Sequence, residues 1–277
     1  MTGISVLILT WQEEVNIAAC VDSCAWSDDI VVFDSMSTDR TCEIARSKGA
    51  RVLQRAFDNY AAQRSAALSG TDFRHPWVLM VDADERVPGD LRDEMERAVA
   101  AADPDVSAFR MRRKDFFMGR WLKRSSGYPT WFGRLVRPDQ VRIERDFNEE
   151  TIGLGRVERL SAHLQHFPFS KGISYWFERH NRYSSMEVVH ARRLREGSVR
   201  PAALFSLEPL ESRRALKRLA YRVPFRPVFV FLYLYVLRRG FLDGRAGLYF
   251  SCMRAMYESL IDLKTVESTR REHGRPI

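Results

Sequence analysis

A chain of 277 residues is long enough for one large domain, or for a domain and a half, with a buried core. Its 45% hydrophobic and 29% charged residues are an ordinary globular composition and exclude a low-complexity chain. The net charge of +8 is unevenly placed: residues 190–277 carry 18 Lys/Arg against 8 Asp/Glu, a net of +10, and the first 189 residues carry −2. A basic end points to a polyanionic partner, and nucleic acid and an anionic membrane both qualify. The four cysteines form no CxxC pair and no metal-ligand spacing. Cys20 and Cys24, four apart in a helical pattern, predict a buried pair on one helix face and a reducing compartment. No charged-then-apolar leader opens the sequence, because Ile4–Thr10 already reads as a strand of the fold.

The first hundred residues alternate short apolar runs with helical periodicity. Strands are predicted at Ile4–Leu9, Ile30–Phe33, Ala50–Leu53 and Trp77–Val81. Helices are predicted at Val15–Cys24, Arg40–Lys48, Asn59–Leu68 and Leu91–Ala101. Ser37, Thr38 or Asp39 can cap the second helix, Gly49 stops it, and Pro88 suits the first turn of the fourth. Continuous apolar strands alternating with helices predict a parallel sheet covered on both faces. Ligands in such sheets sit beyond the carboxyl ends of the strands. Thr10–Glu14, Asp34–Asp39 and Asp82–Glu85 all fall at such ends, which marks them as a site.

The pattern changes from about Val106. Phe109–Arg112 and Arg134–Arg137 read as strands, and Phe116–Phe132, aromatic and basic with Gly119, Gly127 and Pro129, reads as a loop over a ligand. Ile173–Leu194 is helical, and past Pro201 the apolar run Val228–Leu237 is flanked by arginines. That run is too short to cross a bilayer, which takes about 20 residues. The expected division is a catalytic domain over 1–200 and a helical, basic and apolar C-terminal region over 201–277 that lies on a membrane surface.

Asp82-Ala83-Asp84 at the end of a buried strand is the strongest chemical signal. Two carboxylates there can grip a hard divalent ion, Mn²⁺ or Mg²⁺, whose remaining ligands are phosphate oxygens. A pair of surface turn aspartates is the bland alternative. Asp34, closing the second strand, offers an acceptor to the imide N–H of uracil. Trp131 can stack on a sugar face or simply pack, and of Arg134 and Arg137 one is expected to face the site and the other solvent.

Thr10-Trp11-Gln12-Glu13-Glu14, Asp34-Ser35-Met36-Ser37-Thr38-Asp39-Arg40-Thr41, Ala62-Gln63-Arg64 and Asp82-Ala83-Asp84-Glu85 together resemble the family 2 glycosyltransferases of the GT-A fold. Further segments are similar to the lipopolysaccharide-core glucosyltransferase-like branch. These are Trp131–Arg137, Phe147-Asn148-Glu149-Glu150, Leu164-Gln165-His166, Asn181-Arg182-Tyr183-Ser184 and Gly240-Phe241-Leu242-Asp243-Gly244. Gln12 and Ser65 stand where the pattern has asparagines, and the branch's Val-His-Glu segment is here Phe147-Asn148-Glu149.

The resemblance implies a Rossmann-like mixed α/β sheet flanked by helices, acting on a nucleotide-diphosphate sugar, with a UDP-hexose as donor. It implies donor contacts from Thr10, Glu14, Asp34, Arg64 and Asp82, a metal on Asp84 and His166, and acceptor or phosphate contacts from Trp131 and Arg134. Inversion at the anomeric carbon needs a carboxylate base, assigned to Glu149 with Glu150 as rival. The implied acceptor is a lipopolysaccharide-core or lipid-linked glycan at the inner face of a bacterial cytoplasmic membrane. A polyprenyl-phosphate glycosyltransferase is the enzymatic alternative. A nucleic-acid-binding protein is the alternative from another class, and no recognised nucleic-acid motif supports it.

Overall fold

The computed structural model describes residues 3–144, 150–196 and 225–277. They form two compact units. The first comprises Met1–Phe116 and Tyr128–Ser170, the second Phe117–Gly127 and Lys171–Ile277. The residues from Lys171 to Glu196, the end of the domain expected over 1–200, fall in the second unit with the C-terminal helices.

The first unit begins with the predicted alternation: β1 (Ile4–Thr10), α1 (Ile17–Ser23), β2 (Ile30–Asp34), α2 (Thr41–Ser47), β3 (Arg51–Gln54), α3 (Tyr60–Ser69) and β4 (Trp77–Asp82). It continues through β5 (Glu85–Arg86), α4 (Gly89–Ala101) and the twelve-residue β6 (Val106–Phe117). After β7 (Arg120–Trp121), which belongs to the second unit, come β8 (Trp131–Val136), β9 (Val141–Glu144), β10 (Glu150–Gly153) and β11 (Arg156–His166). The main sheet runs β3-β2-β1-β4-β8-β6-β11-β5. β1 to β4 are parallel, β8 is antiparallel to both β4 and β6, and β11 is parallel to β6. The sheet is therefore mixed, as the resemblance implies, and not the wholly parallel sheet that the first hundred residues suggest.

Both faces of β1, β2 and β4 are covered, which is why these strands are almost wholly apolar, while β3, Arg51-Val52-Leu53-Gln54, is the largely exposed edge. Ile4, Val6 and Ile8 pack on one face with Ile17, Cys20, Cys24, Ala45, Leu91 and Met95 of α1, α2 and α4. Leu7, Val31 and Met80 pack on the other face with Ala67 and Leu68 of α3. The Cys20 and Cys24 pair is fully buried, as its spacing predicts. The hydrogen bond with Cys24, together with burial, holds the Cys20 thiol well above its ordinary pKa, so it is unreactive. α3 is capped by Asn59, whose side chain accepts from the Ala62 amide at 2.8 Å. α2 starts at Thr41 with Arg40 at its N-cap position, and of the three expected capping residues Asp39 makes the contact, accepting from the Thr41 amide at 3.1 Å.

The second unit contains α5 (Gly172–Glu196), α6 (Arg226–Leu232) and α7 (Gly244–Glu272). The apolar run is not one ten-residue helix. α6 gives way to a wider π turn over Tyr233–Leu237 and then to a 3₁₀ turn over Gly240–Asp243. Gly240 permits that fold-back, since a Cβ there would lie 2.5 Å from the Leu234 carbonyl oxygen. Asp243 Oδ2 accepts from the amides of Arg124 and Ser125 and from the Ser125 hydroxyl, each at 2.9 Å. Gly240-Phe241-Leu242-Asp243-Gly244 thus has an architectural role, and part of the supposed loop over a ligand, Phe117–Gly127, is a strand and turn tied to it. Among the described residues no helix is long and apolar enough to cross a membrane.

Candidate active site

Because β1, β2, β4, β6 and β11 all run in one direction, their carboxyl ends share one edge of the sheet. Register sets Thr10 opposite Asp34 and Leu9 opposite Asp82. On the far side His166 lies opposite both Asp115 of β6 and Glu85 of β5. Strand topology alone therefore brings together Thr10, Asp34, Asp82, Glu85, Asp115 and His166, which are up to 156 residues apart in sequence.

The loops leaving β1 and β2 are stitched to one another. The amides of Gln12, Glu13 and Glu14 donate to Ser37 Oγ, Thr41 Oγ1 and Asp39 Oδ2 at 2.7, 2.8 and 3.1 Å. In return Glu14 Oε2 accepts from the Arg40 amide at 3.1 Å. Gln12 and Met36 sit in the left-handed region, with φ of 54° and 60°. Such a conformation strains a non-glycine residue by about 1–2 kcal/mol and collects at functional sites. Asparagine tolerates it better than glutamine does, which gives a physical meaning to the asparagine that Gln12 replaces.

Asp34 is fully buried. Its carboxylate accepts from the Ser37 amide at 2.7 Å, the Ser37 hydroxyl at 2.5 Å and Gln54 Nε2 at 3.0 Å. It organises the turn that follows β2. Beside it the buried Thr10 Oγ1 has no hydrogen-bond partner among the described residues. An orphaned hydroxyl at a strand end invites a ligand.

Asp82 is gripped from two sides. Arg64 Nη2 donates to its Oδ1 at 2.6 Å, and Arg134 Nη2 donates to its Oδ2 at 2.6 Å. Burial opposes ionisation of Asp82, but Arg134 and then Arg64 outweigh it and hold the carboxyl far below the usual carboxylate range. The same Arg134 nitrogen reaches the fully buried Glu85 at 3.1 Å. Glu85 also accepts from the Asp82 amide at 3.0 Å and from Arg113 Nη1 at 3.4 Å. Asp82, Arg64 and Arg134 thus form one ion-paired cluster with Glu85, which the sequence placed at the site without a role, and with Arg113, which it did not assign to the site. The Glu85 signal was present in the sequence directly after the two aspartates; Arg113 had none.

Asp84 points away from that cluster to His166, whose Nε2 lies 3.2 Å from Asp84 Oδ2. The other ring nitrogen, Nδ1, lies 2.7 Å from Asp115 Oδ1, which also accepts from Arg113 Nε at 3.1 Å. Burial and the Arg113 charge disfavour the imidazolium, yet Asp84 and Asp115 outweigh them and raise the His166 pKa to about 9. Among the described residues no three His, Cys, Asp or Glu side chains are arranged to hold an ion by themselves. Asp84 and His166 fit a hard divalent ion that draws its other ligands from phosphate and water.

Trp131 lies beneath the guanidinium groups of Arg112 and Arg159, each 5.0 Å from its ring centroid. Arg134 is turned into the carboxylate cluster, while Arg137 lies over the Trp77 ring at 4.7 Å, so the two arginines do face different ways. His163 is within 2.9 Å of the Tyr128 hydroxyl, a packing contact. Glu149 lies outside the described residues, and Glu150 opens β10 opposite Glu144.

An uncharacterized glycosyltransferase of Rickettsia typhi (strain ATCC VR-144 / Wilmington) is 38% identical over 106 residues, covering 38% of this chain and 36% of that protein. The lipopolysaccharide core biosynthesis glycosyltransferase LpsC of Rhizobium meliloti (strain 1021) is 28% identical over 160 residues, covering 56% of this chain and 53% of that protein. The chain spans between about a third and a half of the length of these curated relatives. A crystal structure of glucosyl-3-phosphoglycerate synthase from Mycobacterium tuberculosis with Mn²⁺, UDP and glucosyl-3-phosphoglycerate is a distant likeness. Its TM-score is 0.34 at 22% identity, over 41% of this chain and 44% of that one. Residues 5–159, more than half of the chain and including every strand end of the site except His166, match the model of glycosyl transferase family 2. The chain belongs to that family.

Proposed function

We propose that the protein is an inverting glycosyltransferase that moves a sugar, a hexose from UDP, onto a hydroxyl of a lipopolysaccharide-core or lipid-linked glycan. One observation carries the reading: within a family 2 chain, Asp84 and His166 converge at the strand ends beside an Asp82 already neutralised by arginines. The acceptor class draws support from the likeness to LpsC.

In this reading the acceptor oxygen bonds to the anomeric carbon as the bond from that carbon to the diphosphate oxygen breaks. The hydroxyl proton passes to a carboxylate, assigned to Glu149. Thr10 and the stitched loops seat the nucleoside, with Glu14 at their rim. Asp34 acts by holding the turn after β2, and Arg64 and Arg134 fix Asp82 so that the neighbouring Asp84 points to His166. Asp84 and His166 would hold a divalent ion, which when bound would supply positive charge to the departing diphosphate. Trp131, flanked by Arg112 and Arg159, offers an aromatic face to a sugar and cations to an acidic group upon it. A screen of nucleotide sugars for Mn²⁺- or Mg²⁺-dependent hydrolysis tests the reading: release of UDP from one UDP-hexose is expected. Hydrolysis of none of them, or equal release with chelator present, would overturn it.

The second unit is read as the part that meets an anionic membrane surface at the cytoplasmic side. Phe225, Val228, Phe229, Val236, Leu237, Phe241 and Leu242 are all exposed there, interspersed with the exposed Arg239 and Arg245. Apolar side chains beside arginines suit a headgroup-level contact. Arg226 takes no part, being buried against Glu258 and 3.7 Å from Asp262. The full chain is expected to sediment with anionic liposomes and to lose that binding when Leu237 and Phe241 are both changed to serine. Indifference of the native chain to such liposomes would make these residues the cover of another protein surface.

A further inference from the structure

His166 can serve as a ligand through Nε2 only if its ring is held in the correct orientation and carries its hydrogen on Nδ1. Nothing in β11 itself does this, since a side chain at the end of a strand is free to rotate about χ1 and χ2. The neighbouring strand supplies the constraint. Asp115 lies opposite His166 in the β6–β11 ladder, and its Oδ1 is 2.7 Å from Nδ1, the nitrogen facing away from Asp84. A carboxylate held by the Arg113 guanidinium is an acceptor, so Nδ1 is the donor in this contact. Asp115 is itself fixed, because Arg113 is anchored at its other end on the buried Glu85. The line Glu85–Arg113–Asp115–His166–Asp84 therefore joins the two halves of the Asp82–Glu85 turn through β6 and β11.

We infer that Asp115 is a positioning residue, which fixes the Nδ1–H tautomer and the ring orientation of His166 so that Nε2 faces the ion shared with Asp84. The inference rests on the reading of Asp84 and His166 as metal ligands, and it assigns to β6 a role that the motif on β4 does not contain. Carboxylates in this position beside a ligating histidine typically contribute 10–100-fold to metal affinity.

The test uses the full chain with saturating UDP. Free Mn²⁺ is followed by electron paramagnetic resonance, and ¹⁵N spectra of the histidines are recorded with Mg²⁺ in its place. The dissociation constant for Mn²⁺ is expected to rise about 10–100-fold in Asp115→Ala. A smaller rise is expected in Asp115→Asn, which keeps an oxygen to accept from Nδ1. The His166 signals should show one Nδ1–H tautomer in the native protein and in Asp115→Asn, and a mixture in Asp115→Ala. Mn²⁺ affinity within twofold of native in Asp115→Ala, or an unchanged single tautomer, would overturn the inference. If Asp115→Ala does not fold, Asp115→Asn decides by its affinity, and an unchanged value there counts against the proposal. A native protein that takes up no Mn²⁺ with UDP present removes the metal reading itself, an outcome distinct from a native protein that binds and an Asp115 variant that binds equally.

Discussion

Changing Asp84 to asparagine is expected to lower sugar transfer by about 10²–10³-fold, and excess chelator is expected to do the same to the unaltered protein. Asparagine keeps the size of the side chain and can still approach His166 Nε2, which stands 3.2 Å from the carboxylate. What it loses is the charge that, in the proposed reading, would draw a divalent ion to the strand end. In the proposed reaction the diphosphate gains negative charge as it leaves, so the loss is expected to fall on kcat more than on KM. Asp82→Asn differs in kind. Asp82 is already paired with Arg64 and Arg134, and its neutralisation leaves two buried guanidinium groups short of a partner, which costs stability as well as activity. Parallel measurement of turnover and thermal unfolding separates the two variants. Full turnover of the native chain in excess chelator would remove the ion from the reaction.

The second large effect is expected from Glu149→Gln. An amide of the same shape preserves packing and cannot accept a proton, so transfer should fall by about 10²–10⁴-fold while donor affinity stays nearly constant. Glu150 is the control. Its backbone is committed to the β9–β10 pairing opposite Glu144. If Glu150→Gln shows the loss and Glu149→Gln does not, the base is the neighbour; if neither does, this segment plays no part in proton transfer.

The parallel half of the fold was legible because β1, β2 and β4 are almost continuously apolar and its helices keep their period and, in α3, their cap. Each strand end then declared itself as an abrupt change from Val, Ile and Leu to Asp, Ser and Thr. The mixed half was harder. β6 and β11 carry arginines, lysine and histidine among their apolar residues, since one end of each strand is given over to the site, and that erases the simple alternation. Asp115 and Arg113 were invisible for the same reason: a charged residue in a basic strand has no signature until the neighbouring strand is known. The apolar run after Phe225 was legible in composition but not in shape, because its break depends on Gly240 closing against the Leu234 carbonyl. Arg226 looked like a lipid-facing cation and is instead buried beside Glu258, a partner 32 residues away.

The stitching of the β1 and β2 loops has a thermodynamic consequence for donor capture. Fixing one residue's backbone costs about 1–2 kcal/mol, and loops that must be ordered by an incoming molecule charge that cost to its affinity. Here the amides of three successive residues, Gln12 to Glu14, are already bound by Ser37, Thr41 and Asp39 before any nucleotide arrives. The ordering was completed during folding, at the expense of global stability, so that contacts made later by the proposed nucleotide donor would appear almost undiminished in its dissociation constant. The two loops also behave as one inherited part. Exchanging either one alone for a differently built segment leaves stranded amides on one side and unused oxygens on the other, whereas exchanging both together preserves the frame.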